Sequence, residues 1–188
     1  GQTLLNLDSE ELGVFSIGCA GGADSVVTLP ITRKRAKGAT LVEIHLSGLR
    51  GGHSGIDIHE GRGNAIKILN RLLWQMQKKV PFELIFLNGG DKHNAIPREV
   101  VAQVVMPKSK VTAAEKWLAA ALKDLLIEFK PVEHSIKLTM KVVDKKLQPV
   151  LSGASQEKLL GLLFALPHGP LAMSRSIKDL VETSNNVA

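Results

Sequence analysis

Between residues 40 and 144 the apolar side chains switch between a repeat of two and a repeat near 3.6, and this succession narrows the fold more than any other feature of the chain. "TLVEIHL", residues 40–46, sets Val42, Ile44 and Leu46 against Glu43 and His45, the pattern of a strand with one buried face. Ala65, Leu69, Leu72, Leu73 and Met76 then follow helical spacing. "PFELIFLNGG" predicts a second strand, with Phe82, Leu84 and Phe86 on one face and a Gly-Gly stop, and "REVVAQVVM" predicts a third. A second helix is predicted to start near Thr112, a suitable N-cap with Glu115 three residues on, and to present Leu118, Leu122, Leu125, Leu126 and Phe129. "HSIKLTMKVVD" closes the set as a fourth strand, with Ile136, Leu138, Met140 and Val142 pointing one way.

The order is β-α-β-β-α-β. Each helix has one apolar stripe and each strand one apolar face, so the economical fold is α+β: a ferredoxin-like, antiparallel four-stranded sheet with two helices on one face. The other sheet face is left to solvent or to a partner. A length of 188 residues with 44% hydrophobic content suffices for one good core and a partial second one. Beyond the module, "SQEKLLGLLFALPHG" reads as a short helix stopped by Pro167 and Gly169. No internal repeat stands out beyond the two halves of the module, and both ends read as cut from something larger.

Bulk properties bound the function. No run approaches the ~18 apolar residues of a spanning helix, and "GQTLLNLDSEELG" lacks the features of a signal peptide. The single Cys19 cannot form an intrachain disulfide and suits a reducing cytoplasm. The net charge of +6 would permit nucleic-acid binding, yet the basic residues are scattered among acids. An RNA-binding sheet of this fold stacks bases on aromatic side chains. Here the outward positions of the first strand are Glu43, His45 and Ser47, and the third strand has no aromatic residue.

Chemistry concentrates in "GLRGGHSGIDIHEGRGNA", which begins at Gly48 and holds six glycines, two histidines, two arginines and two acids. Gly51, Gly52 and Gly55 around His53 let the backbone bend sharply and approach a ligand, while "RGN" leads into a helix whose first N–H groups lack intrahelical partners. A plain β-to-α connection with a surface histidine fits the same pattern. His53, Asp57 and His59 are close enough to suggest a local metal site, although such a glycine-rich turn reads better as a substrate loop than as a closed cage. In "HNAIPRE", Asn94 offers an amide that donates and accepts, and Arg98 offers a planar fork matched to a carboxylate, with Pro97 stiffening the approach. A turn asparagine and a surface arginine are the alternatives. Asp8, after the apolar "LLNL", stands where a strand ends, as a site carboxylate or as an acidic turn or cap.

Four segments in order, "NLDSEELG", "GLRGGHSGIDIHEGRGNA", "NGGDKHNAIPRE" and "LVETSNN", resemble the bacterial aminoacyl-histidine dipeptidases, the carnosinase-like Xaa-His dipeptidases of the zinc aminoacylase and carboxypeptidase superfamily. The resemblance implies a cytoplasmic, two-zinc dipeptidase with a catalytic domain and an inserted ferredoxin-like lid. Residues 1–21 would end a catalytic-domain segment, and residues 22–188 would form the lid and dimerisation domain. It further implies that Asp8 ligates zinc, that His53 stabilises the oxyanion formed as water attacks the peptide carbonyl, and that Asn94, with Arg98, binds the dipeptide. A homodimer through the lid is implied, with neither nucleic acid nor membrane as a partner. The family's His-x-Asp segment, Glu-Glu pair and late metal-binding histidine have no counterpart here, so the chain would be a fragment, inactive alone. Glu182, Thr183, Ser184 and Asn185 match a family segment but receive no chemical role. An RNA-binding module and a purely structural dimerisation domain are the alternatives.

Overall fold

The computed structural model describes residues 12–14, 21–37 and 40–188. Asp8 lies outside the described residues. Along the chain run β1 (Arg33–Lys34), β2 (Thr40–Ser47), β3 (Gly52–His53), α1 (Ala65–Met76), β4 (Glu83–Gly89), β5 (Ala95–Ile96), β6 (Val100–Met106), α2 (Val111–Glu128), β7 (Lys137–Val142), β8 (Val150–Leu151), α3 (Gly153–Ala165), β9 (Gly169–Met173) and β10 (Val181–Asn185).

The main sheet has the order β4-β6-β2-β7 with every pair antiparallel, the ferredoxin-like arrangement that the periodicity predicts. β2 lies between β6 and β7, so that Ile44 sits opposite both Ala102 and Met140. Its register is tightly specified. Val42, Ile44 and Leu46 are all fully buried, and a slip of one residue would drive Glu43 and His45 into the core.

On one face, α1 buries Leu69, Leu73 and Met76 completely in a core that also takes Leu84, Val104 and Met106. Asn64 caps α1, its side-chain oxygen accepting the Lys67 N–H at 3.1 Å. The helical layer holds one more helix than the module predicts, because α3 packs on α1 and adds Leu160 to the same core. α3 is capped in turn by Ser152, which accepts from the Ser155 N–H.

Four expectations need correction. Thr112 is not the cap of α2: that helix is entered through a 3-10 turn, and Lys110 at its N-cap makes no side-chain capping bond. Its buried stripe is Ala114, Leu118, Ala121 and Leu125, while Leu126 is 44% exposed, because the helix meets the sheet along a seam narrower than its leucines suggest. In β4 a bulge between Leu84 and Phe86 breaks the alternation, so that Ile85 and Phe86 both leave the main core. Val142, at the end of the edge strand β7, is 58% exposed. The sheet's second face is also partly covered. Ile85, Leu41, Val105 and Val150 form a small cluster there with Ala36, Phe86 and Val143, and Arg33 in β1 braces it by donating to the carbonyls of Ile85 and Pro149.

Candidate functional site

The glycine-rich stretch leaves β2 at Gly48, whose φ of +79° lets the backbone pass so close to the Ser135 carbonyl that any Cβ would collide with it. At Gly52, with φ of +141°, a Cβ would overlap the Arg62 guanidinium and the Asp57 carboxylate. A glycine is required there because this ion pair lies directly on the main chain.

Arg62 is the knot of the loop. Its Nη1 donates to the Gly51 carbonyl at 2.7 Å, its Nη2 to Asp57 Oδ1 at 3.0 Å and its Nε to Glu60 Oε2 at 2.8 Å, with the side chain only 12% exposed. The guanidinium holds the Glu60 carboxyl below its ordinary pKa, and Arg62's own pKa is raised, first by the bond to Glu60. Asp57 passes the order on. Its Oδ2 accepts the His53 N–H at 2.7 Å, and its own N–H donates to the His53 carbonyl at 3.0 Å.

The His53 ring is fixed independently. Its Nδ1 accepts from the N–H groups of Gly55 at 3.1 Å and Ile56 at 3.2 Å. With that lone pair engaged, the neutral imidazole carries its proton on Nε2, which is left as a donor with no partner among the described residues. His53 itself is exposed.

The second predicted segment is brought to the first by a short ribbon. β3 pairs antiparallel with β5, His53 opposite Ala95 and Gly52 opposite Ile96, and the Ser54 N–H donates to the Asn94 carbonyl at 2.9 Å. The stem of Arg98 runs along the backbone of Gly51, where an added Cβ would lie 3.2 Å from that of Arg98. The side chains of Asn94 and Arg98 are exposed and make no hydrogen bond or ion pair with the described residues. Asn94 and Arg98 thus flank the strand that pairs with His53.

Other expectations are resolved differently. Two of the first N–H groups of α1 are taken internally, Ala65 donating to the Pro97 carbonyl at 2.8 Å and Lys67 to Asn64, and just ahead of the helix Gly63 donates to Glu133. Nor do His53, Asp57 and His59 make a metal cage. The Nδ1 of His53 and both oxygens of Asp57 are already engaged, and among the described residues no cluster of three His, Cys, Asp or Glu side chains is gathered for a metal. The residues described here do not fit a metal centre of their own.

Glu133, which sequence reasoning passes over, is 3% exposed and accepts from the N–H of Arg50 at 2.8 Å and of Gly63 at 2.9 Å, clasping both ends of the loop. Only the spacing of a lone acid after α2 could have hinted at it. Beside α1 a cleft of about 410 Å³ is lined by Lys67, Phe164, Leu166 and His168 among others. The Lys67 ammonium donates to the carbonyls of Leu163, Phe164 and Leu166, which satisfies the end of α3. Burial lowers the pKa of Lys67, while burial, helped by the Lys67 charge, pushes His168 down to about 4.

Two outcomes follow from these contacts. Glu133→Ala removes the acceptor of the buried Gly63 N–H and is expected to cost roughly 1–3 kcal/mol, read as a lower urea midpoint at unchanged slope. His168 is depressed in the folded state, so the unfolded chain binds more protons below the ordinary imidazole value of about 6.5. Stability is therefore expected to fall as pH drops from about 6.5 towards 4, and His168→Asn should show a shallower loss over that window in unfolding titrations.

Residues 44–130 match the family described as the peptidase dimerisation domain. The chain is 37% identical over 185 residues to the cytosol non-specific dipeptidase of Escherichia coli (strain K12), an alignment covering 98% of this chain and 38% of that protein. The crystal structure of an aminoacylhistidine dipeptidase from Vibrio alginolyticus superposes with a TM-score of 0.81 at 34% identity, covering 85% of this chain and 32% of that one. The chain thus spans 38% of the length of the curated relative it matches. With this identity running along nearly all its residues, and with the same fold in the Vibrio enzyme, the chain is similar to one segment of these dipeptidases, the segment in which its residues 44–130 match the peptidase dimerisation domain.

Proposed function

We propose that this chain is part of a metal-dependent dipeptidase that hydrolyses Xaa-His and related dipeptides, and that it supplies the lid groups which bind substrate and the developing oxyanion. Residues 1–21 end a catalytic-domain segment in this reading, and residues 22–188 form the lid and dimerisation domain. The single observation that carries it is the His53 ring, whose Nδ1 is held by two backbone N–H groups, leaving Nε2 for a substrate, on a ribbon whose other strand is flanked by Asn94 and Arg98.

Each side chain then has a task. Nε2–H of His53 donates to the carbonyl oxygen of the scissile bond as negative charge builds on it, and it needs little reorganisation because Asp57, held by Arg62, fixes the main chain and the Gly55 and Ile56 amides fix the ring. Asn94 contacts the peptide group of the substrate. Arg98, free of any described acid, pairs through its planar fork with the C-terminal carboxylate that a dipeptide always carries. Dipeptidases of this family are metalloenzymes, and two zinc ions, held by Asp8 and by parts of the parent protein outside this chain, would supply the activated nucleophile. The chain alone is inactive in this reading, since the His-x-Asp segment, Glu-Glu pair and late metal-binding histidine of the family have no counterpart in it.

The names of the two relatives bracket the substrate, one acting on aminoacyl-histidine and the other non-specific. A homodimer through the lid is supported by the description of the matched family. A cytoplasmic location is supported by the relative named cytosolic. Among the described residues no helix is long and apolar enough to cross a membrane. The RNA-binding alternative is not favoured, since the outward sheet face carries the Glu43–Lys141 ion pair at 2.7 Å, with Gln103 bonded to the same glutamate.

In the complete parent protein, His53→Ala is expected to lower kcat by about 10²–10³ with the fold intact. Near-normal dipeptide turnover in that variant would overturn the assignment. Arg98→Ala is expected to raise KM for dipeptides with a free C-terminal carboxylate more than it lowers kcat, and an unchanged KM for those substrates would remove Arg98 from the site.

A further inference from the structure

The loop that carries Asn94 is held from a direction the ribbon does not explain. Its backbone pairs with β3 on one side, through the Ser54 N–H on the Asn94 carbonyl and the His53–Ala95 register. The Asn186 side chain approaches it as well. Nδ2 of Asn186 donates to the Ala95 carbonyl at 2.9 Å and reaches the His93 carbonyl at 3.4 Å. One amide nitrogen therefore binds the main chain immediately before and immediately after Asn94.

The base from which Asn186 reaches is itself rigid. The next residue, Val187, is buried, and its carbonyl accepts from Nδ2 of Asn64, the buried cap of α1, at 2.7 Å. Ala188 lies against Gly90, where φ is +74° and a Cβ would come within 2.8 Å of the Ala188 main chain. Oδ1 of Asn186 is shielded from solvent and has no partner among the described residues. A buried, unpaired acceptor is unfavourable. The two carbonyls fix which end of the amide faces the loop, so that the nitrogen makes both bonds and the oxygen is left on the unpaired side.

We infer that Asn186 is a positioning residue for the candidate site: it clamps the main chain on both sides of Asn94 and so sets where the Asn94 amide is presented to the substrate beside His53. This inference rests on the dipeptidase reading for its catalytic consequence, while the clamp itself is independent of that reading.

The test is a double-mutant cycle in the complete parent protein, with amide hydrogen exchange measured on the same variants. Asn186→Ala is expected to lower kcat/KM for a dipeptide by about ten-fold, the worth of one lost hydrogen bond at its upper range. In an Asn94→Ala background the same change is expected to cost less than about two-fold, because its effect passes through Asn94. A merely structural role would cost the same factor in both backgrounds, and that result would overturn the inference. The amides of Ser54 and Ala95 are expected to exchange faster in Asn186→Ala and in the isosteric Asn186→Asp, with the exchange of the α1 core unchanged. Unaltered exchange at both amides in both variants would overturn the clamp. Absence of dipeptide hydrolysis by the unaltered parent would instead sink the functional reading, and the exchange measurement would still decide the clamp.

Discussion

A single guanidinium, that of Arg62, gives shape to a stretch whose glycines would otherwise leave it loose. Glycine opens backbone conformations closed to other residues, at the cost of more freedom to be lost on ordering. Arg62 meets that cost with three directed bonds, to the Gly51 carbonyl, to Asp57 and to Glu60. A lysine, with its donors on one atom, could not span those three acceptors in a fixed plane. The order is then relayed to the His53 main chain through Asp57, so where that residue stands depends on a cation nine positions along the chain, while its ring is turned by the Gly55 and Ile56 N–H groups.

The start of α1 is the second organising point. Such a terminus offers donors and a positive field, and here the fold consumes both internally. The Pro97 carbonyl and the Asn64 side chain take up N–H groups of its first turn, the Glu133 carboxylate takes that of Gly63 just before it, and these partners come from three separate parts of the chain. One turn later Lys67 crosses to the carbonyl end of α3. Burial, aided by the positive charge of Lys67, holds the His168 pKa down to about 4, so the electrostatics of the cleft follow in part from how two helix ends are satisfied.

Much of this was legible in the sequence where periodicity decides it. The strands and helices of the module follow from which residues must be buried, and Val42, Ile44 and Leu46 behave as their alternation demands. Legibility failed where one backbone event or one distant contact decides. The bulge at Leu84–Phe86 shifts a face without changing composition, and a Thr-x-x-Glu pattern at Thr112 imitates a capping box inside a helix that begins earlier. In the site, the glycines and His53 announced themselves. Glu133 did not, because a lone glutamate between helix and strand reads as solvated until the fold closes over it.

The contacts that shape the site join residues far apart in the chain: Arg50 with Glu133, 83 positions on, Gly63 with the same carboxylate, 70 on, and Ala95 with Asn186, 91 on. Loops of that length close late, after local helices and hairpins have formed. The imidazole and the amide therefore come into register only when the whole domain has condensed. A chain arrested part-way could carry most of its helices and still display no site, which makes the geometry around His53 a sensitive reporter of complete folding.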